Sequence, residues 1–307
     1  MKRKTRSNPQ NYSEGFEIDQ EIADSKYNQI RKPSLPYGII INDQRAGILI
    51  PSEQLAKTEW KVMPPPEELT TIELSKEVTG LMLTKCRLII LAFVPECIRW
   101  KDMEDNGEQA GALIGLYDEY RHSLNKKYQE VCSEHALVFL NANNQPLHKV
   151  PITVRFKNVA LWSFKSAREE YYRQLEKAFA KYTQTHYSGK SDKWRSLGVL
   201  EVIFKGVKQG GGKNKSYCCK TMKITSPTVG NLPRLFMGTP KRKELVWALH
   251  REIAGFVEAN DEQLTPLKTS GEPEMEGKPP HSGNSAGTIS QVPDDELDLE
   301  DELDLED

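Results

Sequence analysis

The sequence predicts an α+β fold in which an antiparallel β-sheet or an OB-like barrel is packed with helices and both chain ends are disordered. Two kinds of segment and the overall composition predict it. Two long stretches, 111–132 and 163–187, have apolar residues at helical spacing. Only 37% of the 307 residues are hydrophobic, which leaves many polar residues outside a core. Apolar or alternating segments predict strands near 37–50, 87–100, 135–141, 150–157, 197–208 and 215–224.

The composition divides the chain into four parts. Residues 1–34 are polar and begin with a basic cluster, so we expect a disordered tail. Residues 35–259 contain the periodic segments and should form the folded body. Residues 260–293 are rich in Pro, Gly, Ser, Thr and Glu and should form a flexible linker, and 294–307 should form an acidic tail.

The first strands follow from short apolar runs. Residues 38–41 and 47–50 surround the turn sequence Asn-Asp-Gln-Arg, which predicts a hairpin. Residues 85–94 are almost continuously apolar, which predicts a central strand covered on both faces, and 97–100 extend it past Pro95.

The middle of the chain alternates between helical and strand patterns. Apolar residues in 111–132 recur near every 3.6 positions, which predicts a helix. Residues 150–156 alternate, so one face is apolar and the other is basic. A long helix is predicted over 163–187, begun by Ser163 or by a capping box at Ser166, and a last helix over 239–257.

From 158 to 224, aromatic side chains lie among mostly positive charges. This pattern is typical of single-stranded nucleic acid binding, because cations follow the phosphates and rings stack on bases. Trp194 lies between Lys193 and Arg195 in a polar loop, where it would stack on a base if exposed. The alternative is that its indole fills the core at the end of the loop.

We therefore expect binding of single-stranded DNA without sequence preference. The residues expected to contact phosphate are Arg155, Lys157, Lys193, Arg195, Lys205, Lys208, Lys213, Lys215, Lys220 and Lys223. The residues expected to stack on bases are Trp162, Trp194 and Tyr217. The glycine run at 210–212 does not form a nucleotide-binding loop, because Lys213 is followed by asparagine and not by Ser or Thr.

The acidic end offsets a basic body. Residues 294–307 contain 10 acidic residues and no basic one, which leaves 34 of the 44 acidic residues against all 42 basic ones. Such a tail can imitate a polyanion, so it would compete for the DNA site or recruit replication and recombination proteins. It repeats Asp-Glu-Leu-Asp-Leu-Glu, and the side chains expected to contact a partner are Asp295, Leu297, Leu299, Leu303 and Leu305.

Several classes of protein are not indicated. Five cysteines without a Cys-x-x-Cys pair favour a reducing cytoplasm over a disulfide framework. The six histidines lack metal-ligand spacing, and no hydrolase motif is present, so we expect no metal, no cofactor and no enzymatic activity. No apolar run approaches the roughly 18 residues of a membrane span, and no secretory signal follows the basic start.

Residues 133–225 carry one resemblance. They include Ser-Glu-His-Ala-Leu-Val-Phe-Leu, Val-Arg-Phe-Lys-Asn-Val-Ala-Leu-Trp-Ser-Phe-Lys and Ser-Asp-Lys-Trp-Arg-Ser-Leu-Gly-Val-Leu. The segment resembles an uncharacterised domain family common in cyanobacteria, and this resemblance implies no activity.

The order of parts is similar to that of bacterial and phage single-stranded-DNA-binding proteins, which join an OB-fold to an acidic tip. That resemblance implies a tip that covers the DNA groove and recruits partners, although this tail ends in Leu-Glu-Asp and not in an aromatic residue. Two alternatives stay open: a protein-interaction or scaffold factor, and a strand-annealing recombinase that forms homo-oligomeric rings.

Overall fold

The computed structural model describes residues 33–210 and 215–257. The predicted linker, the predicted acidic tail with its partner-binding residues, and nearly all of the predicted N-terminal tail lie outside these ranges. Lys213 also lies outside them.

Ten strands form one sheet in the described part of the chain. They are β1 (Tyr37–Ile41), β2 (Gly47–Pro51), β3 (Leu69–Glu73), β4 (Glu77–Leu83), β5 (Lys85–Trp100), β6 (Leu113–Leu116), β7 (Gln129–Leu140), β8 (Ile152–Lys157), β9 (Leu200–Gln209) and β10 (Ser216–Ile224). The helices are α1 (Ser52–Lys57), α2 (Tyr117–Tyr120), α3 (Asn158–Thr183), α4 (Asp192–Arg195), α5 (Leu232–Leu235) and α6 (Pro240–Glu252). Short 3-10 turns lie at Pro66–Glu68, Glu104–Gln109 and Arg121–Ser123.

The sheet is curled and open. Its strand order is β10-β9-β5-β7-β8-β1-β2-β4-β3, with β6 beside β5. Every pair is antiparallel except β1 with β8. Strands far apart in this order still contribute to one hydrophobic cluster, since β2 and β10 both reach it. The sheet therefore forms a half-barrel, which confirms the predicted α+β class.

Both faces of β5 are covered, as predicted. Leu88 and Ile90 join the cluster that packs against α3 on the concave face. Ile89 and Leu91 join a second cluster, which packs against α6 on the other face. Each such side chain is fully or almost fully buried, and burial of one contributes about 1.5–3 kcal/mol.

The turn between β1 and β2 closes part of the opening of the half-barrel. The backbone N–H of Cys219 on the terminal strand β10 donates to Asn42 Oδ1 at 2.8 Å. The N–H of Thr221 donates to Ser163 Oγ at 3.1 Å, so α3 covers the same strand. A β-carbon on Gly206 would lie 2.1 Å from the Asp43 carbonyl oxygen, so only glycine fits under the turn. These contacts block further strand pairing at this edge.

The predicted helix over 111–132 is wrong. The segment contains β6, the single turn α2, and the start of β7. Its residues pair with the long strand β5, for example Cys132 opposite Cys97 and Val131 opposite Ile98. Non-local pairing overrides local periodicity here, because β5 offers a long edge for strand hydrogen bonds.

Other boundaries also differ from the prediction. Helix α3 begins at Asn158, so both predicted caps, Ser163 and Ser166, lie inside it. Strands β3 and β4 were not predicted, because residues 69–83 mix polar and apolar residues without a clear alternation. None of the described helices is long and apolar enough to cross a membrane.

Candidate nucleic-acid interface

Three of the predicted phosphate contacts are ion-paired within the protein. Arg155 Nη2 lies 2.7 Å from Glu134 Oε1. Lys157 Nζ lies 2.7 Å from Glu130 Oε2, and Arg195 Nη2 lies 2.9 Å from Glu176 Oε1. A phosphate would have to displace these carboxylates. The ion pairs therefore stabilise the fold, and phosphate contact by these cations stays a prediction.

The electrostatics of Arg155 agree with a structural role. Burial acts to lower the pKa of its guanidinium, but Glu134 and Glu130, with other nearby groups, outweigh burial and raise that pKa. The Glu134 side chain is only 2% exposed, so its charge depends on cationic neighbours. One of these is Arg99, whose Nη2 lies 3.6 Å from Glu134 Oε1.

The predicted aromatic contacts differ in exposure. Trp194 is half-buried at the edge of the concave cluster. Its ring centroid lies 4.9 Å from that of Phe236 and 5.1 Å from that of Phe179. The structure therefore matches the alternative in which Trp194 packs into the core. Trp162 is 37% exposed and its ring packs against Tyr117.

Three of the predicted lysines lie together on one face of the β9–β10 hairpin. Lys205 and Lys220 are direct cross-strand neighbours. Lys223 faces Ile203, which lies two residues from Lys205 and therefore on the same face. All three lysines are exposed, and none has an ion-pair partner within residues 33–210 and 215–257. This face therefore carries uncompensated positive charge. Like charges directly opposite each other destabilise a sheet, so the pair of Lys205 and Lys220 has a cost.

The other face of the hairpin combines a cation with a ring. Lys208 is the cross-strand neighbour of Tyr217, and its Nζ lies 5.2 Å from the centre of the tyrosine ring. Lys215 is exposed just before β10. Lys193 is exposed on α4, where its Nζ lies 5.0 Å from the Trp247 ring. Two predicted lysines thus already contact aromatic side chains through cation–π geometry.

Of the three clustered lysines, Lys223 also lines a cavity of about 500 Å³. Strand register brings Lys85 opposite Ile203 and Arg87 opposite Glu201, so β5 extends the row begun by Lys223. Arg234 of α5 lies beside them. We call this surface the basic face, and its members are Lys85, Arg87, Lys205, Lys220, Lys223 and Arg234.

Sequence reasoning missed half of the basic face. Lys85 and Arg87 carry a weak signal, since they alternate at the start of the apolar strand β5. Arg234 has no local signal, because it joins the cavity only through the position of α5.

Two arginines in the cavity share one carboxylate. Arg87 Nη1 and Arg234 Nη1 both contact Oε1 of Glu201. Arg87 Nη2 also donates to Asn144 Oδ1, and Asn144 Nδ2 donates to the Arg234 carbonyl oxygen at 2.9 Å. Asn144 has a φ of 61°, a left-handed conformation that asparagine tolerates better than most residues. The guanidinium of Arg87 is therefore held in place from two sides.

One donor in this cluster is unused. Arg87 Nε is buried and has no hydrogen-bond partner among the described residues. Burial and the positive charge of Arg234 lower the pKa of Arg87. With two guanidinium groups and one carboxylate, the cluster is suited to an additional anion.

No group of His, Cys, Asp and Glu within the described ranges could hold a metal ion. His148 is one buried histidine with a structural role. Its Nε2 accepts from the Phe139 N–H at 2.9 Å, and Nδ1 lies 2.8 Å from the Val150 carbonyl oxygen. Burial lowers the pKa of His148 to about 4, so the imidazole is neutral near pH 7.

A family model described as "Domain of unknown function (DUF5895)" matches residues 32–268. The chain belongs to this family, and the match covers all of the described strands and helices. No curated protein and no solved structure gives a significant match to the chain.

Proposed function

We propose that this member of the family binds single-stranded DNA without base specificity through the basic face. One observation carries the proposal: Lys205 and Lys220 are direct cross-strand neighbours, both exposed, without a carboxylate partner in the described part of the chain. A cross-strand pair of like charges costs the sheet stability, and a bound phosphate would remove that cost. Lys85, Lys223 and Arg234 extend the same positive surface along the sheet.

The hairpin also offers a stacking side chain. Tyr217 is half-buried beneath Lys208 on the opposite face from Lys205. A DNA strand that runs along β10 would meet the lysines on one face of the hairpin and the Tyr217 ring on the other. Base stacking on an aromatic side chain contributes about 1–3 kcal/mol per base and is tolerant of sequence. Trp162 is 37% exposed and is the second ring proposed for this role.

The acidic tail fits the same proposal through its charge. Residues 294–307 carry ten carboxylates and lie outside the described ranges. We propose that they compete with DNA for the basic face and recruit replication or recombination proteins when DNA displaces them. This arrangement is similar in its order of parts to the bacterial and phage single-stranded-DNA-binding proteins.

The test is fluorescence anisotropy of a labelled oligo-dT strand, titrated with the full chain across a salt series. We expect affinity to fall steeply with salt, because bound phosphates release counterions. A double variant, Lys205→Ala with Lys220→Ala, should bind about tenfold more weakly at low salt. Its slope of log affinity against log salt should be smaller by about 1.4, since each phosphate contact contributes about 0.7.

The matched control removes two lysines from another surface. Lys177→Ala with Lys181→Ala changes the charge equally on the exposed side of α3 and should leave affinity nearly unchanged. A chain ending at Pro293 should bind more tightly than the full chain at low salt and equally at high salt. If neither the full chain nor the truncated chain binds at low salt, the proposal is wrong, and the scaffold alternative becomes the better hypothesis. DNA-dependent rings would favour the annealing recombinase.

A further inference from the structure

The cavity at the end of the basic face has the composition of a ligand site. Its volume of about 500 Å³ lies within the roughly 300–1,000 Å³ of typical small-molecule pockets. Leu83, Leu147 and Ile203 supply half-buried apolar surface, and charged side chains lie on the same lining. A pocket with apolar surface and a few fixed polar groups suits a ligand that joins a flat apolar body to an anion.

The charges of the lining favour a doubly charged anion. Lys85, Arg87, Lys223 and Arg234 line the cavity, with Glu201 as the carboxylate among them. Four cations against one anion leave an excess of about three positive charges. A phosphate diester within a strand carries one negative charge, whereas a phosphate monoester carries about −1.5 to −2 at pH 7. The excess is therefore better matched by a monoester.

Arg87 is arranged to receive such a group. Its side chain is only 16% exposed, and Asn144 and Glu201 hold its two terminal nitrogens. Its buried Nε has no hydrogen-bond partner among the described residues, so the guanidinium keeps one unsatisfied N–H. Arg234 is 51% exposed and can turn toward a ligand without a large packing cost.

We infer that this cavity binds a phosphate monoester on a nucleotide, which is the phosphorylated end of a DNA strand. The phosphate lies against Lys85 and Lys223, beside the cluster that Arg87 and Arg234 form with Glu201. The terminal sugar and base lie against Leu83, Leu147 and Ile203. The inference rests on the proposed function for the strand that the end belongs to. A free nucleotide presents the same chemistry, so the experiment includes both sources.

The experiment compares four probes on the full chain: an oligo-dT strand with a 5′-phosphate, one with a 3′-phosphate, the unphosphorylated strand, and free dTMP with thymidine as its control. We expect one phosphorylated strand to bind about tenfold more tightly than the unphosphorylated strand at pH 7.5, a difference of about 1.4 kcal/mol. We also expect dTMP to bind more tightly than thymidine in calorimetry.

The advantage of the phosphorylated end should shrink near pH 5.2. The second pKa of a phosphate monoester is about 6, so the group carries close to one charge there. The ionisable side chains of the lining are those of Lys85, Cys86, Arg87, Glu201, Lys223 and Arg234. Burial raises the pKa of the Cys86 thiol to about 12, so it stays neutral over this range. The unphosphorylated strand is measured at both pH values as the control for changes in the protein, and only the ratio of the two affinities is compared.

The variant Arg234→Gln assigns the effect to the cavity. It should remove most of the tenfold advantage, and any weakening of the unphosphorylated strand does not affect the test, because only the ratio of the two affinities is compared. Lys181→Gln removes one exposed charge elsewhere and should keep the full advantage. If Arg234→Gln also keeps the full advantage, the cavity is not the site and the inference is overturned.

The outcomes separate this inference from the proposed function. Equal affinity for phosphorylated and unphosphorylated strands, with tight salt-sensitive binding of both, overturns the cavity inference and supports the proposed function. Selective binding of dTMP without binding of any strand supports the cavity as a nucleotide site and overturns the proposed function. Absence of binding for every probe overturns both.

Discussion

Strand β8 and the β9–β10 hairpin carry similar basic patterns but have opposite electrostatic surroundings. In β8, Arg155 is the direct cross-strand neighbour of Glu134 on β7. In the hairpin, Lys205 is the direct cross-strand neighbour of Lys220. The first arrangement neutralises a cation and the second doubles the positive charge. A run of basic residues in the sequence therefore does not by itself show whether the neighbouring strand matches its charges.

The same contrast holds for the aromatic residues. Trp194 contacts Phe179 and Phe236 and belongs to the framework. Tyr217 lies on the hairpin, where its ring contacts a lysine. Substitutions in the first group should therefore lower stability, and substitutions in the second should weaken DNA binding.

The largest expected effect is on Trp194. Trp194→Ala should lower the free energy of unfolding by about 3 kcal/mol, because removal of a packed indole leaves a cavity between two phenylalanines. Urea denaturation followed by circular dichroism measures this. Trp162→Ala is the control, and it should cost less than about 1 kcal/mol since Trp162 is exposed. An unchanged stability for Trp194→Ala, together with lost DNA binding, would show that Trp194 stacks on bases instead.

The next effect separates the two cross-strand pairs. Arg155→Met should lower the free energy of unfolding by about 2 kcal/mol, since it leaves Glu134 buried with less compensation. Removing one partner of a buried ion pair usually costs about 3–5 kcal/mol. The loss should be smaller here because Arg99 still lies near Glu134. The matched change Lys205→Met in the hairpin should not destabilise the protein in the same urea experiment. Equal losses in both variants would contradict the division into framework and binding surface.

The smallest change in stability should have the opposite sign. Lys220→Glu converts the like-charge pair with Lys205 into an opposite-charge pair, and it should raise the free energy of unfolding by about 0.5 kcal/mol. The same variant should bind oligo-dT at least tenfold more weakly at low salt. Lys177→Glu on α3 makes an equal charge change and serves as the control for net charge. A variant that is more stable and still binds DNA normally would exclude the hairpin as the site.

Local sequence determined the strands whose apolar residues face a core. The continuous apolar run became β5, the alternating segment became β8, and the glycine-joined pair became β9 and β10. These patterns depend on the chemistry of neighbouring residues, which a sequence displays directly. The helical pattern at 111–132 gave a wrong prediction, because pairing with β5 overrode its local period.

The tertiary structure alone decided which charges are matched. Glu134 and Arg155 are 21 residues apart, and Arg87 and Glu201 are 114 apart, so no local pattern links them. Strand register and the position of α5 bring these groups together or leave Lys205 facing Lys220. The sequence by itself determined how much positive charge the body carries. Only the fold decided where that charge is unpaired, because cross-strand partners are set by non-local pairing.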